Sequence, residues 1–226
     1  MKHLFKFIRS YQCMAIFLTL ISVNGHAGSD ETKASTAGLP VNDKTLLVIG
    51  DSLSAAYKLP AKQGWVHLLE QRLQQNYDDQ FQVVNASISG ATTAAAIQLL
   101  SQSLTKYTPS IVILELGGND GLQGKPVTYI TENLRTLVHM SKGAGAQVLL
   151  VGVRMPPNFG SRYADPFFKQ YARLAEQESL ALVPFILDGV AGHEDLMLSD
   201  GLHPSAPGQE VVLENVWKEL KPLLGI

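Results

Sequence analysis

Short apolar runs of strand character alternate along this chain with stretches whose apolar residues recur at helical spacing. The runs are Leu46 to Ile49, Gln82 to Ala86, Ile111 to Leu116, Gln147 to Val153 and Ala181 to Leu187. Between them Trp65, Val66, Leu68, Leu69 and Leu73 mark one helical face, Ile97, Leu100 and Leu104 a second, and Ile130, Leu134, Leu137 and Val138 a third. Two more helices are predicted, from about Pro166 to Glu178 and from about Gly208 to Leu223. Strands that read as continuous apolar runs are buried on both faces, and a helix after each strand supplies the cover. The pattern therefore predicts an α/β fold: a three-layer α/β/α domain with a five-stranded parallel sheet and right-handed crossovers. Ligand-binding loops in such a domain leave the carboxyl ends of the strands, and the polar, Gly-rich clusters of this sequence fall at those places.

The chain's first residues follow a different pattern. Lys2, Lys6 and Arg9 precede an apolar run from Met14 to Val23, which ends in Gly25-His26-Ala27. A basic start, an apolar centre and small residues at the end read as a signal peptide over 1–27. The run is about ten residues, where a membrane-spanning helix needs roughly 20. Residues 28–42 are rich in Ser, Thr, Ala and Gly without apolar periodicity and read as a disordered lead-in, leaving 43–226 as one domain. A periplasmic or secreted protein is expected. The single cysteine, Cys13, lies inside the predicted signal, so the mature chain would carry no disulfide, thiol nucleophile or thiolate metal site.

Composition narrows the partner. A formal net charge of −2 over 226 residues, with 46% hydrophobic content, gives enough apolar material for one core and no polybasic footprint. Nucleic acid and an anionic membrane surface are disfavoured. A small neutral or amphiphilic ligand fits better, with a monomer as the default expectation and no stable membrane insertion once the signal is removed.

Four clusters carry candidate chemistry. Gly50-Asp51-Ser52-Leu53-Ser54 follows the first strand and presents Ser52 at a strand end, where it could equally cap a helix. The nucleophile elbow G-x-S-x-G is not met, because Ser54 stands in the place of the last glycine. Asn85-Ala86-Ser87-Ile88-Ser89-Gly90 closes the second strand with a glycine that lets a backbone N–H approach a ligand. Gly117-Gly118-Asn119-Asp120-Gly121 closes the third with a neutral amide suited to developing negative charge, or with a plain turn. Asp200-Gly201-Leu202-His203-Pro204 places a carboxylate three residues before an imidazole. That pairing suits a base that takes a serine proton and an acid that fixes its tautomer. His193 with Asp195 is the reserve pair, and no second ligand cluster accompanies it to suggest a metal.

In this order and at these strand ends the four clusters resemble the SGNH or GDSL hydrolase family. The intervening text resembles its bacterial periplasmic subgroup of acyl-CoA thioesterases, lysophospholipases and arylesterases. The resemblance implies an SGNH hydrolase fold of flavodoxin-like order and hydrolysis of acyl esters and thioesters through an acyl-enzyme on Ser52. It further implies oxyanion donors from the Ser52 and Gly90 backbone and the Asn119 side chain, Asp200 with His203 as the remaining pair, and no cofactor or metal. Substrate contacts would come from Gly121 and Leu122, in the loop after Asn119. Ala91 and Lys125 depart from close relatives. A carbohydrate deacetylase with the same triad, or a non-catalytic lipid-binding protein, are the alternatives.

Overall fold

The computed structural model describes residues Lys44–Ile226; the signal peptide and lead-in expected over 1–27 and 28–42 lie outside the described residues. Five strands form one parallel sheet: β1 (Lys44–Gly50), β2 (Phe81–Asn85), β3 (Ile111–Glu115), β4 (Gln147–Val151) and β5 (Ala181–Val183), in the order β2-β1-β3-β4-β5. The stretches 46–49, 111–114 and 149–151 are almost completely buried, which is why these strands read as unbroken apolar runs rather than as alternation.

The helices are α1 (Trp65–Tyr77), α2 (Thr93–Tyr107), α3 (Gly118–Leu122), α4 (Val127–Gly143), α5 (Ser161–Glu178) and α6 (Ala206–Leu224). The chain steps from β1 outward to β2, then reverses direction across the sheet to β3, β4 and β5. With right-handed crossovers that reversal puts α1 on one face and α2, α4 and α5 on the other. The packing agrees: α1 lies against α6, while α2 lies against α4 and α4 against α5. Each helix turns a narrow apolar face inward, as with the fully buried Ile130, Leu134, Leu137 and Val138 of α4. Burying one such side chain is worth about 1.5–3 kcal/mol.

The reversal also determines where a ligand can sit. Loops leaving the carboxyl ends of β1 and β3 diverge to opposite faces and open a crevice between them. Gly50 is in register with Glu115 at that point, so the Ser52 and Asn119 clusters leave the sheet side by side.

The observed elements depart from the expected ones at their ends. β4 stops at Val151 and β5 at Val183, short of the expected Val153 and Leu187. Pro184 has no N–H to continue the ladder, and the Gly152 N–H turns to the Val183 carbonyl at 2.8 Å. A Cβ on Gly152 would stand 2.3 Å from the Pro184 carbonyl oxygen, so only glycine permits this approach. Helix α5 begins at Ser161, before the expected Pro166, which lies inside it. Tyr163 and Phe167 stack four residues apart with ring centroids at 6.1 Å, supporting a turn that Pro166 alone would weaken. The Asn119 cluster is a single helical turn, α3, rather than an open turn.

Candidate active site

Ser52 leaves β1 through a sharp turn. Its neighbour Asp51 accepts the Leu53 N–H at 3.0 Å, and the Ala55 N–H bonds back to the Asp51 carbonyl at 2.9 Å. Ala56 and Lys58 hold positive φ of 54° and 58°, a strained loop of the kind found where a side chain must be aimed. His203 comes from the far end of the chain on a stapled loop. Its carbonyl accepts the Leu198 N–H at 2.7 Å, and the Ser205 N–H bonds the Leu196 carbonyl at 2.8 Å. Gly201, at φ +65°, makes the bend inside that loop.

These two elements meet. Ser52 Oγ lies 2.8 Å from His203 Nε2, and His203 Nδ1 lies 3.0 Å from Asp200 Oδ2. Asp200 Oδ1 accepts the backbone N–H groups of Leu202 at 3.0 Å and His203 at 3.1 Å, and Lys58 Nζ stands 3.6 Å from Oδ2. Desolvation works against its charge, but the Leu202 amide, the imidazole and the His203 amide outweigh it and hold the Asp200 carboxyl down at about 2. The acid is therefore ionised at neutral pH and binds Nδ1–H, which leaves Nε2 free to accept the serine proton. Tyr57 covers the imidazole, its ring centroid 4.5 Å from that of His203.

The groups expected to stabilise a developing negative charge line the cleft that holds Ser52. The backbone N–H groups of Ser52 and Gly90 have no partner among the described residues, and both residues line the same cleft. Gly90 sits at φ +82°, where a side chain would strain the turn. Asn119 lines the cleft as well, with Nδ2 donating to Asp51 Oδ2 at 3.0 Å and to the Ala91 carbonyl at 3.1 Å. Its amide is thus fixed in place, and an oxyanion would have to share a hydrogen now given to one of these acceptors.

Behind the site lies a network that sequence reasoning missed. Glu115, at the end of β3 and completely buried, accepts from Ser54 Oγ at 2.9 Å and from the Asp51 N–H at 3.3 Å. Burial, and after it the neighbouring Asp51 charge, push Glu115 well above the usual carboxylate range, which favours its neutral form. Burial pushes Asp51 up to about 6, although the Leu53 N–H, Glu115, His203 and Asn119 all favour its charge. Asp51 is ionised at neutral pH and acts as the acceptor that orients Asn119. Buried Asp120 makes a second tie, accepting the Thr93 N–H at 2.8 Å and Thr93 Oγ1 at 2.9 Å, and so couples α3 to the start of α2. A carboxylate at a helix start is also favoured by the helix dipole. The available signal was Glu115 itself, a lone charge inside an apolar run.

Because Asp51 titrates higher in the folded chain than in the unfolded one, its ionisation costs stability above pH 6, and that cost is relieved as pH falls towards 4. The stability of Asp51→Asn relative to the native chain is therefore expected to rise as pH increases through 6. Chemical denaturation of both at pH 5 and pH 8 checks the sign.

The cleft has a volume of about 900 Å³, large enough for a drug-sized ligand, and Leu122, Val153, Met155, Phe185, Leu187 and Met197 supply much of its apolar wall. Leu122, expected as a substrate contact, is thus on the cleft wall. Gly121, the other expected contact, is buried, and a Cβ there would stand 2.5 Å from Met155 Sδ and 2.7 Å from the Phe167 ring, so its missing side chain lets α3 pack against Met155 and α5. The reserve pair, His193 and Asp195, is exposed and lies off the cleft wall, as does Lys125.

A parallel sheet with a serine, an imidazole and a carboxylate hydrogen-bonded in series at its switch point defines a serine hydrolase. Residues 48–211 match the GDSL-like Lipase/Acylhydrolase family, and the chain belongs to that family of SGNH ester hydrolases. It is 48% identical to the esterase TesA of Pseudomonas aeruginosa over 182 residues, covering 80% of this chain and 90% of that one. It is 38% identical to the thioesterase 1/protease 1/lysophospholipase L1 of Escherichia coli K12 over 180 residues, covering 80% and 85%. Among solved structures, the psychrotrophic esterase EstA from Pseudoalteromonas sp., inhibited by monoethylphosphonate, superposes with a TM-score of 0.77 at 38% identity, covering 81% of this chain and all of that one.

Proposed function

We propose that this chain hydrolyses acyl esters and thioesters, including lysophospholipids, acyl-CoA and aryl esters, through an acyl-enzyme on Ser52. The observation that carries the reading is the 2.8 Å approach of Ser52 Oγ to an imidazole whose other nitrogen faces an ionised carboxylate. In the first step Ser52 Oγ bonds the carbonyl carbon while its proton passes to His203 Nε2. The carbonyl oxygen takes the negative charge beside the Ser52 and Gly90 N–H groups and the Asn119 amide. Collapse expels the alkoxide or thiolate, which leaves with the proton from His203. Water then gives a proton to His203 and attacks the acyl carbon, and Ser52 recovers its proton as the acid departs. The 900 Å³ cleft with its apolar wall suits an acyl chain better than an acetyl group on a sugar. The relative named thioesterase 1/protease 1/lysophospholipase L1 supports the substrate class.

The same reading holds that 1–27 is a cleaved signal, 28–42 a lead-in, 43–226 the hydrolase domain, and the mature enzyme a periplasmic or secreted monomer. Among the described residues no helix is long and apolar enough to cross a membrane. The test is a substrate panel of acyl-CoA, lysophospholipid, p-nitrophenyl ester and acetyl-sugar on enzyme from a secretory host, its intact mass beginning at Gly28. Acyl donors should rank above acetylated sugars in kcat/KM; the reverse ranking, or a chain that keeps residues 1–27, overturns the corresponding statement.

A further inference from the structure

Arg154 is the only lysine or arginine among the residues lining the cleft. It leaves the carboxyl end of β4, next to the strand that carries Asn119. Its guanidinium lies over the Phe168 ring at 4.0 Å and the Phe185 ring at 4.9 Å. Among the described residues no carboxylate pairs with it and none of its N–H groups has a hydrogen-bond acceptor, unlike Arg72 and Arg135, which hold Glu214 and Glu178. Asp188, which also lines the cleft, makes no ion pair with it. Aromatic contact holds a guanidinium by its face and leaves the in-plane N–H fork available. Arg154 is exposed, so its fork is open to a ligand entering the cleft that holds Ser52 and His203. A guanidinium oriented by two rings, with its fork free in that cleft, suits the planar, bidentate recognition of a carboxylate or phosphate. Of the two, phosphate is the anion carried by substrates of the class proposed above, whereas a free carboxylate is a product.

We propose that Arg154 binds the phosphate of a phosphorylated acyl donor, so that the enzyme prefers acyl groups attached to phosphate-bearing leaving groups. This rests on the acyl ester and thioester reading. The phosphate can belong to a nucleotide thioester or to a phospholipid head group, and the test separates the two. Octanoyl-CoA is compared with the neutral octanoyl-N-acetylcysteamine thioester, and octanoyl-lysophosphatidylcholine with monooctanoylglycerol, all below micelle-forming concentrations. Arg154→Met removes the charge and keeps apolar volume against the two rings, and Arg154→Gln serves if the Met variant is unstable.

A lost charge-assisted contact should lower kcat/KM by about 10- to 100-fold, mainly through KM, for one or both phosphorylated substrates and leave their neutral partners within about twofold. A loss confined to octanoyl-CoA assigns the site to nucleotide phosphate, and one confined to the lysophospholipid assigns it to the head group. Equal losses on neutral and phosphorylated substrates, or no loss on either, overturn the proposal. A native enzyme that cleaves the neutral pair but not the phosphorylated pair also overturns it, with the hydrolase reading intact. Inactivity on all four substrates would sink the substrate class itself.

Discussion

Ser52→Ala is expected to lower kcat by about 10⁵- to 10⁶-fold on any ester the native enzyme cleaves, while the variant remains folded. The reaction proposed here has no other route to the acyl-enzyme. Alanine keeps the backbone N–H at position 52, so the oxyanion donors survive. The residual rate should still exceed that in water by about 10³-fold. The fold should be nearly indifferent, because the hydroxyl's one side-chain partner is His203 and losing such a bond costs about 1 kcal/mol. Single-turnover assays with a p-nitrophenyl ester, thermal unfolding, and labelling by a fluorophosphonate probe together check this. Labelling should vanish in the variant. Activity within tenfold of native, with the probe still attached, would place the nucleophile elsewhere.

Much of the scaffold behind that prediction was legible along the chain, for a physical reason. A strand buried on both faces shows as an apolar run whatever its neighbours are, and 46–49 and 111–114 could hardly be anything else between amphipathic segments. Strand ends were harder to read, because they depend on contacts between strands. The run after Ala181 stays apolar through Phe185, Ile186 and Leu187, yet the ladder stops at Pro184. The same limit applies at the site. Ser52, Asn119 and His203 stand out because each belongs to a compact motif. Gly121 belongs to such a motif too, but only packing reveals that its missing side chain makes room for Met155 and Phe167. The Asp51 and Glu115 pair spans 64 residues, and Arg154 meets Phe168 and Phe185 across three elements, so neither can be read from local spacing. Conversely, the acid that interrupts the third apolar run has a structural use: Glu115 accepts from the Asp51 N–H and Ser54 Oγ and so ties the Ser52 turn to the end of β3.

Asp200→Asn isolates the carboxylate's role with almost no change in shape, and its expected cost is about 10⁴-fold in kcat, with KM little altered. The two backbone amides of Leu202 and His203 both point at Oδ1, so an asparagine will keep its carbonyl oxygen there and turn its N–H₂ towards His203 Nδ1. Nδ1 must then accept a hydrogen bond, which leaves the ring proton on Nε2. That proton faces Ser52 Oγ, with Nε2 and Oγ 2.8 Å apart, where the reaction needs an unprotonated nitrogen with its lone pair available. The imidazolium formed during attack would also lose the adjacent negative charge that stabilises it. Because the Asp200 carboxyl is held at about 2, the native enzyme keeps this arrangement throughout the range in which it can be assayed, and protonating Asp200 cannot mimic the variant near neutrality. The contribution of this carboxylate to folding is present above its unfolded value of 3.8 and lost only as pH falls towards 2. Steady-state kinetics from pH 5 to 10, beside the native enzyme, therefore test one thing: the loss should persist at every pH, with partial recovery at high pH, where hydroxide can take the serine proton directly. A variant that regains native turnover at any pH in that range would show that Asp200 merely positions its loop.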